Sequence, residues 1–328
     1  MNGDTLHIDV SIVIVNYKSW NHLYNCLESI QNIRSKEVQL EVVIVDNCSN
    51  DGKLINFKKK FLEFIFIENT GNNGFANGCN VGAKNASGNY LLFLNPDTVI
   101  SEEPILKMVA FLKEHKDCGI VSCNQKNVHG SYEKNIRFFP DIHTLFGFFR
   151  AIHKKRIHKI IAKKNRILYP NWVSGAVVFI SKNWFDRIKG WNEDFWMYYE
   201  DIDISKKVAD LGGKVALLTD TEIIHNHGGS SRINIKTATI TKTEVLISKH
   251  VYIRNHFRGG KHFILQILLI LNNLIGKLIL AIFGIIFFFI PKLRVVLNLY
   301  IHIIKYYFAS LIHRTWLSSR SMNHPNKK

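Results

Sequence analysis

Up to about residue 125, hydrophobic and polar positions follow two alternating rhythms. Short runs rich in Val, Ile, Leu and Phe at residues 10–15, 41–45, 64–67, 90–94 and 119–122 are almost continuously apolar. That is the pattern of strands covered on both faces. Between them, residues 21–33, 54–62, 76–86 and 103–115 space their apolar positions as amphipathic helices do. Strand–helix alternation predicts an α/β fold with a Rossmann-like, mostly parallel sheet flanked by helices. The signal weakens from 124 to 170, a stretch holding the basic run HKKRIHKIIAKKNR at 153–166. It returns at NWVSGAVVFIS, residues 171–181, which predicts a strand with Gly175 and Ala176 at its centre. An aromatic loop, GWNEDFWMYY, leads into a helix expected from about 201 to 211, and short strands at 214–218 and 222–225 follow.

Doubly wound sheets bind ligands at the carboxyl ends of their strands, so the residues just past each run matter most. The first run exits onto Asn16 and Tyr17, and the second onto Asp46, Asn47 and Ser49. The third exits onto NTGNNGFANGCNVG and the fourth onto Asn95-Pro96-Asp97. One such exit is ordinary turn chemistry; four on a single rim read as a site. Glycines 71, 74, 78 and 82 would let backbone approach a ligand, and a helix start near Phe75 offers N–H groups to an anion. Neither GxGxxG nor GxxxxGK[ST] occurs there, which disfavours a dehydrogenase or a P-loop NTPase.

Asp97, supported by Asn95, suits a hard divalent ion such as Mg²⁺ or Mn²⁺, which takes few protein oxygens and completes its shell with phosphate. MYYEDIDIS places Glu200, Asp201 and Asp203 within four residues. Acids at a helix start often serve as caps. The alternative for Glu200 and Asp201 is a general base that deprotonates an acceptor hydroxyl, with Asp203 structural on another face. His225 and His227 alternate onto one side of an extended strand; a metal needs only one, and His225 ranks first.

Composition adds a partner class. The formal charge is +17, from 43 Lys+Arg against 26 Asp+Glu, which favours phosphate-bearing substrates or an acidic membrane face. Five cysteines without a CxxC pair suggest neither a disulfide framework nor a zinc site and fit a reducing compartment. The N-terminus lacks a secretory pattern, so chemistry is expected in the cytoplasm. Residues 263–290 carry one charge, Lys277, in 28 residues. That is long enough to span a bilayer, yet Asn272, Asn273 and Lys277 interrupt the middle and basic residues flank both ends. Surface or re-entrant attachment is therefore expected, with 295–312 as a second interfacial helix. The division expected is a catalytic domain over 1–240 and a membrane-associated helical region over 241–328.

The segments SIVIVNY, VIVDNCSNDG, NTGNNGFANGCNVG, LNPDT, NWVSGAVVFIS, GWNEDFWMYYEDIDIS and HNHGGSS occur in that order. Together they resemble the family 2 inverting glycosyltransferases of GT-A fold, specifically the bacterial rhamnosyltransferase-like group, over about residues 8–235. The resemblance implies that Asn16 and Tyr17 line the nucleotide pocket and that Asp46 binds the pyrimidine. It implies that Asn73, Gly74 and Asn80 border the donor sugar and diphosphate, and that Trp172, Gly175 and Ala176 shape the donor and acceptor floor. Asn95 and Asp97 stand where the family has its DxD metal motif, with Asn95 replacing the first Asp. His225 would complete the metal shell, and Asp201 would be the base with Glu200 as rival. The implied partners are a dTDP- or UDP-sugar and a lipid-linked saccharide acceptor at the inner membrane surface, with no nucleic acid. L-Rhamnose leads the donor sugars, in synthesis of O-antigen or capsule. Two other readings remain: a nucleotidyltransferase that makes an activated sugar, and a non-catalytic membrane-bound binding protein.

Overall fold

The computed structural model describes residues 8–133, 137–141, 145, 166–226 and 234–327. His227 and the basic run, apart from Arg166, lie outside them. The described residues form two compact units, one holding residues 8–133, 137–139, 166–191 and 201–226, the other 140–141, 145, 192–200 and 234–327.

The first unit is built on a sheet. Strands β1 (Val10–Asn16), β2 (Leu40–Asp46), β3 (Ile65–Glu68) and β4 (Tyr90–Leu94) lie side by side in the order β3-β2-β1-β4, all parallel. Helices α1 (Trp20–Gln31), α2 (Leu54–Lys60) and α3 (Phe75–Lys84) connect them. Successive residues of β1 face opposite ways: Ile12 and Ile14 pack with Leu23 and Leu27 of α1, whereas Val13 and Val15 pack with Ala76 and Cys79 of α3. Both faces are covered, which is why these strands read as unbroken apolar runs.

Beyond β4 come β5 (Thr98–Val99), α4 (Glu102–Glu114), β6 (Cys118–Lys126), β7 (Ile167–Leu168), β8 (Val177–Ser181), α5 (Lys182–Arg187), α6 (Glu200–Asp210) and β9 (Lys214–His225). The strand path continues β4-β8-β6-β9-β5, with β7 against β9. Strand β8 is antiparallel to both β4 and β6, so the sheet is mixed. The cause is topological: the chain leaves β6 at the carboxyl edge and re-enters from that edge. Gly175 and Ala176 consequently precede the strand, on the rim, where a strand centre was expected. The two short strands expected near the end are one long β9, whose register against β6 jumps where Cys123 faces Leu218 and Asn124 faces Glu222.

The second unit is helical: α7 (Ile235–His256), α8 (Gly259–Ile286) and α9 (Pro291–Ile312), with a short 3₁₀ turn at Pro325–Lys327. Asn234 caps α7, its Oδ1 accepting from Thr237 N at 2.8 Å. Residues 287–290 turn the chain between α8 and α9, and Pro291 opens α9 at a position where its missing N–H is harmless. The amide Asn273, anomalous in so apolar a helix, faces inward. Its Nδ2 donates to the Tyr307 hydroxyl at 2.9 Å, and that hydroxyl lies 3.0 Å from His250 Nε2. His250 Nδ1 meets Gln266 Oε1, and Gln266 Nε2 donates to His250 O at 3.0 Å. Burial holds His250 down at about 4. A neutral ring with its proton on Nδ1 satisfies the whole chain. The outward side of α8 is apolar instead: Phe263, Ile275 and Ile279 are each about two-thirds exposed.

Candidate active site

The carboxyl ends of β1, β2 and β3 are in register, with Asn16 opposite Asp46 and Asp46 opposite Glu68. Asp46 is buried. Its Oδ1 accepts from Asn16 Nδ2 at 2.9 Å and Ser49 Oγ at 2.6 Å, and its Oδ2 from Ser49 N at 2.9 Å. It fastens the rim from inside and presents no exposed oxygen, whereas Tyr17 beside it is 41% exposed. Asp46 was expected to meet the pyrimidine; in the structure its carboxylate holds Asn16 and Ser49 together at the rim.

The glycine-rich segment divides by position. Gly74 has φ 95°, a conformation open to glycine, and precedes α3 with its carbonyl held by Asn47 Nδ2 at 2.9 Å. Gly78 and Gly82 face β1 instead. A Cβ on Gly78 would sit 2.7 Å from Val15, and one on Gly82 2.3 Å from Val13, so these two let helix and sheet close on one another. Asn73 stays at the loop surface, its backbone N bonded to Gly71 O. Asn80 reaches the aromatic loop. Its amide spans the backbone of Trp191, donating to Trp191 O and accepting from Trp191 N, both at 2.9 Å. These bonds tie α3 to the aromatic loop.

The exits of β4 and β9 meet. Residues Thr98 and Val99 form β5 and pair antiparallel with His225 and Ile224, and Asn226 N donates to Asp97 O at 2.8 Å. That short bridge sets His225 Nε2 3.3 Å from Asp97 Oδ1. The other ring nitrogen, Nδ1, lies 2.8 Å from Glu133 Oε1 and 3.0 Å from Gln125 Oε1. Burial opposes charge on this imidazole, yet the flanking carboxylates of Asp97 and Glu133 outweigh it and raise His225 to about 9. The site thus favours a positive charge between its acids.

Among the described residues, no three His, Cys, Asp or Glu side chains gather closely enough to hold an ion alone. Asp97 and His225 supply two donors, and Asn226 Oδ1 beside them is buried without a hydrogen-bond partner. A carboxylate and an imidazole with an unsatisfied amide oxygen nearby fit a cation that draws its other ligands from phosphate and water. Glu133 behind His225 is the familiar support of a metal-binding ring. Asn95 stands at the same exit, its backbone N donating to Ala176 O at 3.0 Å.

Gly175, just before Ala176, links this exit to the candidate base. Gly175 N donates to Asp201 Oδ2 at 3.2 Å, and a Cβ on Gly175 would stand 3.4 Å from Asp201 Cβ. Burial pushes the Asp201 carboxyl above its ordinary value, and Arg137 partly opposes it. Arg137 also pairs with Glu133 at 2.6 Å and lies over the Trp172 ring at 4.6 Å, while Trp172 Nε1 donates to Phe138 O. Arg137 thereby connects the acid that supports His225 with Asp201. Glu200, the rival base, is a buried residue that opens α6, and Asp203 is buried 3.9 Å from Lys207 as a structural acid. Glu133, Arg137 and Gln125 were not expected. Gln125 was findable as the exit of a fifth strand, whereas Glu133 and Arg137 lie where sequence periodicity fades.

The description "Glycosyl transferase family 2" fits residues 11–174. The chain belongs to glycosyl transferase family 2. A second family, described as the N-terminal domain of galactosyltransferase, matches residues 155–227. Relatives of this family 2 member include the rhamnosyltransferase WbbL of Escherichia coli K12, 22% identical over 66% of this chain and 83% of that one. The low-salt glycan biosynthesis hexosyltransferase Agl10 of Haloferax volcanii is 27% identical over 68% of each. Among solved structures, GalNAc-T7 with UDP, GalNAc and Mn²⁺ superposes with a TM-score of 0.53 at 18% identity, covering 74% of this chain and 48% of that one. The fold is of the GT-A type, and the protein is a glycosyltransferase.

Proposed function

We propose that this family 2 enzyme moves a sugar, L-rhamnose first among candidates, from a dTDP- or UDP-sugar to a hydroxyl of a lipid-linked saccharide, with inversion. The acceptor would be met at the cytoplasmic face of a membrane through α8 and α9. The juxtaposition of Asp97 with His225 carries the reading, because it makes one acidic corner at the carboxyl edge where a nucleotide diphosphate would end. Asp97 and His225, with Asn95 or Asn226 in support, would hold Mg²⁺ or Mn²⁺. Such an ion, when bound, neutralises charge on the departing diphosphate.

Asp201 takes the proton from the acceptor hydroxyl as that oxygen attacks the anomeric carbon from the face opposite the leaving group. One displacement inverts the centre, and no covalent enzyme intermediate is needed. The upward shift of Asp201 strengthens it as a base. The Gly175 N–H fixes the carboxylate's direction. Tyr17, Asn73 and Gly74 remain available along the nucleotide side, and Trp172 with Ala176 forms the floor. The relatives support the substrate class: one is named a rhamnosyltransferase and another a hexosyltransferase, and the GalNAc-T7 structure contains UDP and Mn²⁺.

The test is a panel of dTDP- and UDP-sugars with a polyprenyl-diphosphate saccharide, followed by release of nucleoside diphosphate with and without Mn²⁺. Metal-dependent release from one donor, with an inverted product, is the expected result. Unchanged release in EDTA would overturn the metal assignment, and no release from any donor would overturn the substrate class.

A further inference from the structure

The helical unit contains a cavity of about 240 Å³ far in sequence from every residue discussed for transfer. Helix α7 contributes Thr243 and Ile247, and α9 contributes Lys305 and Ser310. The segment after α9 closes it with His313 and Arg320.

Its chemistry is one-sided. Lys305, Arg320 and the imidazoles of His302, His313 and His324 all line it. They press on one another: His302 is held below its ordinary value by burial and then by Arg320 and Lys305, and His324 by burial, His313 and Lys327. The carboxylate nearby, Glu244, is buried beneath the wall, and its Oε1 is already used by Ser318 at 2.9 Å and Arg320 at 3.1 Å. Burial also raises its pKa, which weakens it as a counter-charge. A second observation is independent of charge. Ser310, nine-tenths buried, lines the cavity, and among the described residues its Oγ has only the Tyr306 hydroxyl in reach, itself donating to Trp316 O at 2.7 Å. A buried hydroxyl with spare hydrogen-bonding capacity gains from a ligand oxygen that enters to bond it.

We infer that this cavity binds a phosphate or diphosphate group, with Lys305 and Arg320 as its cations and Ser310 as a hydroxyl donor. A guanidinium fork, an ammonium and hydroxyls together match tetrahedral phosphate oxygens better than they match a planar carboxylate. Phe308, Leu311 and Ile312, on the last turns of the same helix, are 65–76% exposed. An apolar chain attached to the phosphate would have a surface to follow, so a lipid phosphate is the favoured source and free phosphate the other. The inference stands apart from the transfer reading, because none of its residues takes part in that chemistry.

The experiment is calorimetric titration of the full chain in detergent with inorganic pyrophosphate, in EDTA so that divalent ions are absent. Wild type and Asp97→Asn bind equally, Lys305→Gln or Arg320→Gln weakens binding at least tenfold, and Ser310→Ala weakens it several-fold. Lys305 is exposed, so its substitution tests the charge without endangering the fold. Competition then assigns the source: displacement by phosphatidic acid in micelles identifies a lipid phosphate, and displacement by orthophosphate alone identifies a free anion. No heat from wild type, equal binding by both charge variants, or loss of binding in Asp97→Asn would each overturn the site.

Discussion

At the scale of single residues, the site depends on charge held in fixed directions. Asp97→Asn removes a carboxylate from the side of His225 without changing volume. Turnover should fall on the order of 100-fold or more while the melting temperature holds; a fully active variant would refute Asp97 as a ligand. Glu133→Gln removes the acid that holds the other side of that ring. Loss of such support weakens metal affinity roughly 10–100-fold, measurable as the Mn²⁺ dissociation constant by electron paramagnetic resonance, with Glu133→Asp restoring part of it. Asp201 gives a pH signature. A base must be ionised, so activity rises with pH through its pKa, and burial already sets that pKa above the ordinary carboxylate value. Arg137 pulls it down, so Arg137→Gln should move the acid limb of the rate profile to higher pH. A limb that stays in place would remove Asp201 as the base. Asp97 and His225 were legible as strand exits, since residue type and position both pointed to them. Glu133 and Arg137 were not, because their roles come from a fold-back between β6 and β8 that no local period encodes. The bonds of Asn80 to the Trp191 backbone were hidden for the same reason, since 111 residues separate the two.

At the scale of elements, the alternation of strands and helices was readable to within a residue or two through α4, the two-residue β5 apart, because burial on both faces writes itself into uninterrupted apolar runs. Direction was harder. Residue 177 begins a strand that enters from the site edge, and nothing in VVFIS distinguishes that from a parallel strand. The glycines of α3 carry a testable consequence. An alanine normally favours a helix interior by up to about 1 kcal/mol over glycine. At Gly82 the added methyl would lie 2.3 Å from Val13 Cγ1, and overpacking costs about 1–3 kcal/mol. The clash should win. Gly82→Ala is expected to lower the melting temperature by several degrees in a thermal scan, whereas an increase would show that α3 can shift away from β1.

At the scale of the whole molecule, the proposed membrane attachment combines the +17 charge with the apolar outer side of α8. On the proposed reading the basic surplus would draw the protein to an anionic surface, and Phe263, Ile275 and Ile279 would supply apolar area to enter it. The double substitution Ile275→Glu/Ile279→Glu touches exposed positions alone and should move the protein from the membrane pellet to the supernatant without unfolding it. Sedimentation equal to wild type would show that charge suffices. The sequence located these helices but not the inward amide chain that lets Asn273 live in one of them, because the partners His250 and Tyr307 belong to separate helices.

The pairing of Thr98 with His225 has a consequence in time. More than a hundred residues separate the two sides of that small clasp, so a ribosome must deliver most of the catalytic fold before the acidic corner exists. A nascent chain stalled earlier could build its first four strands and still be silent as a catalyst.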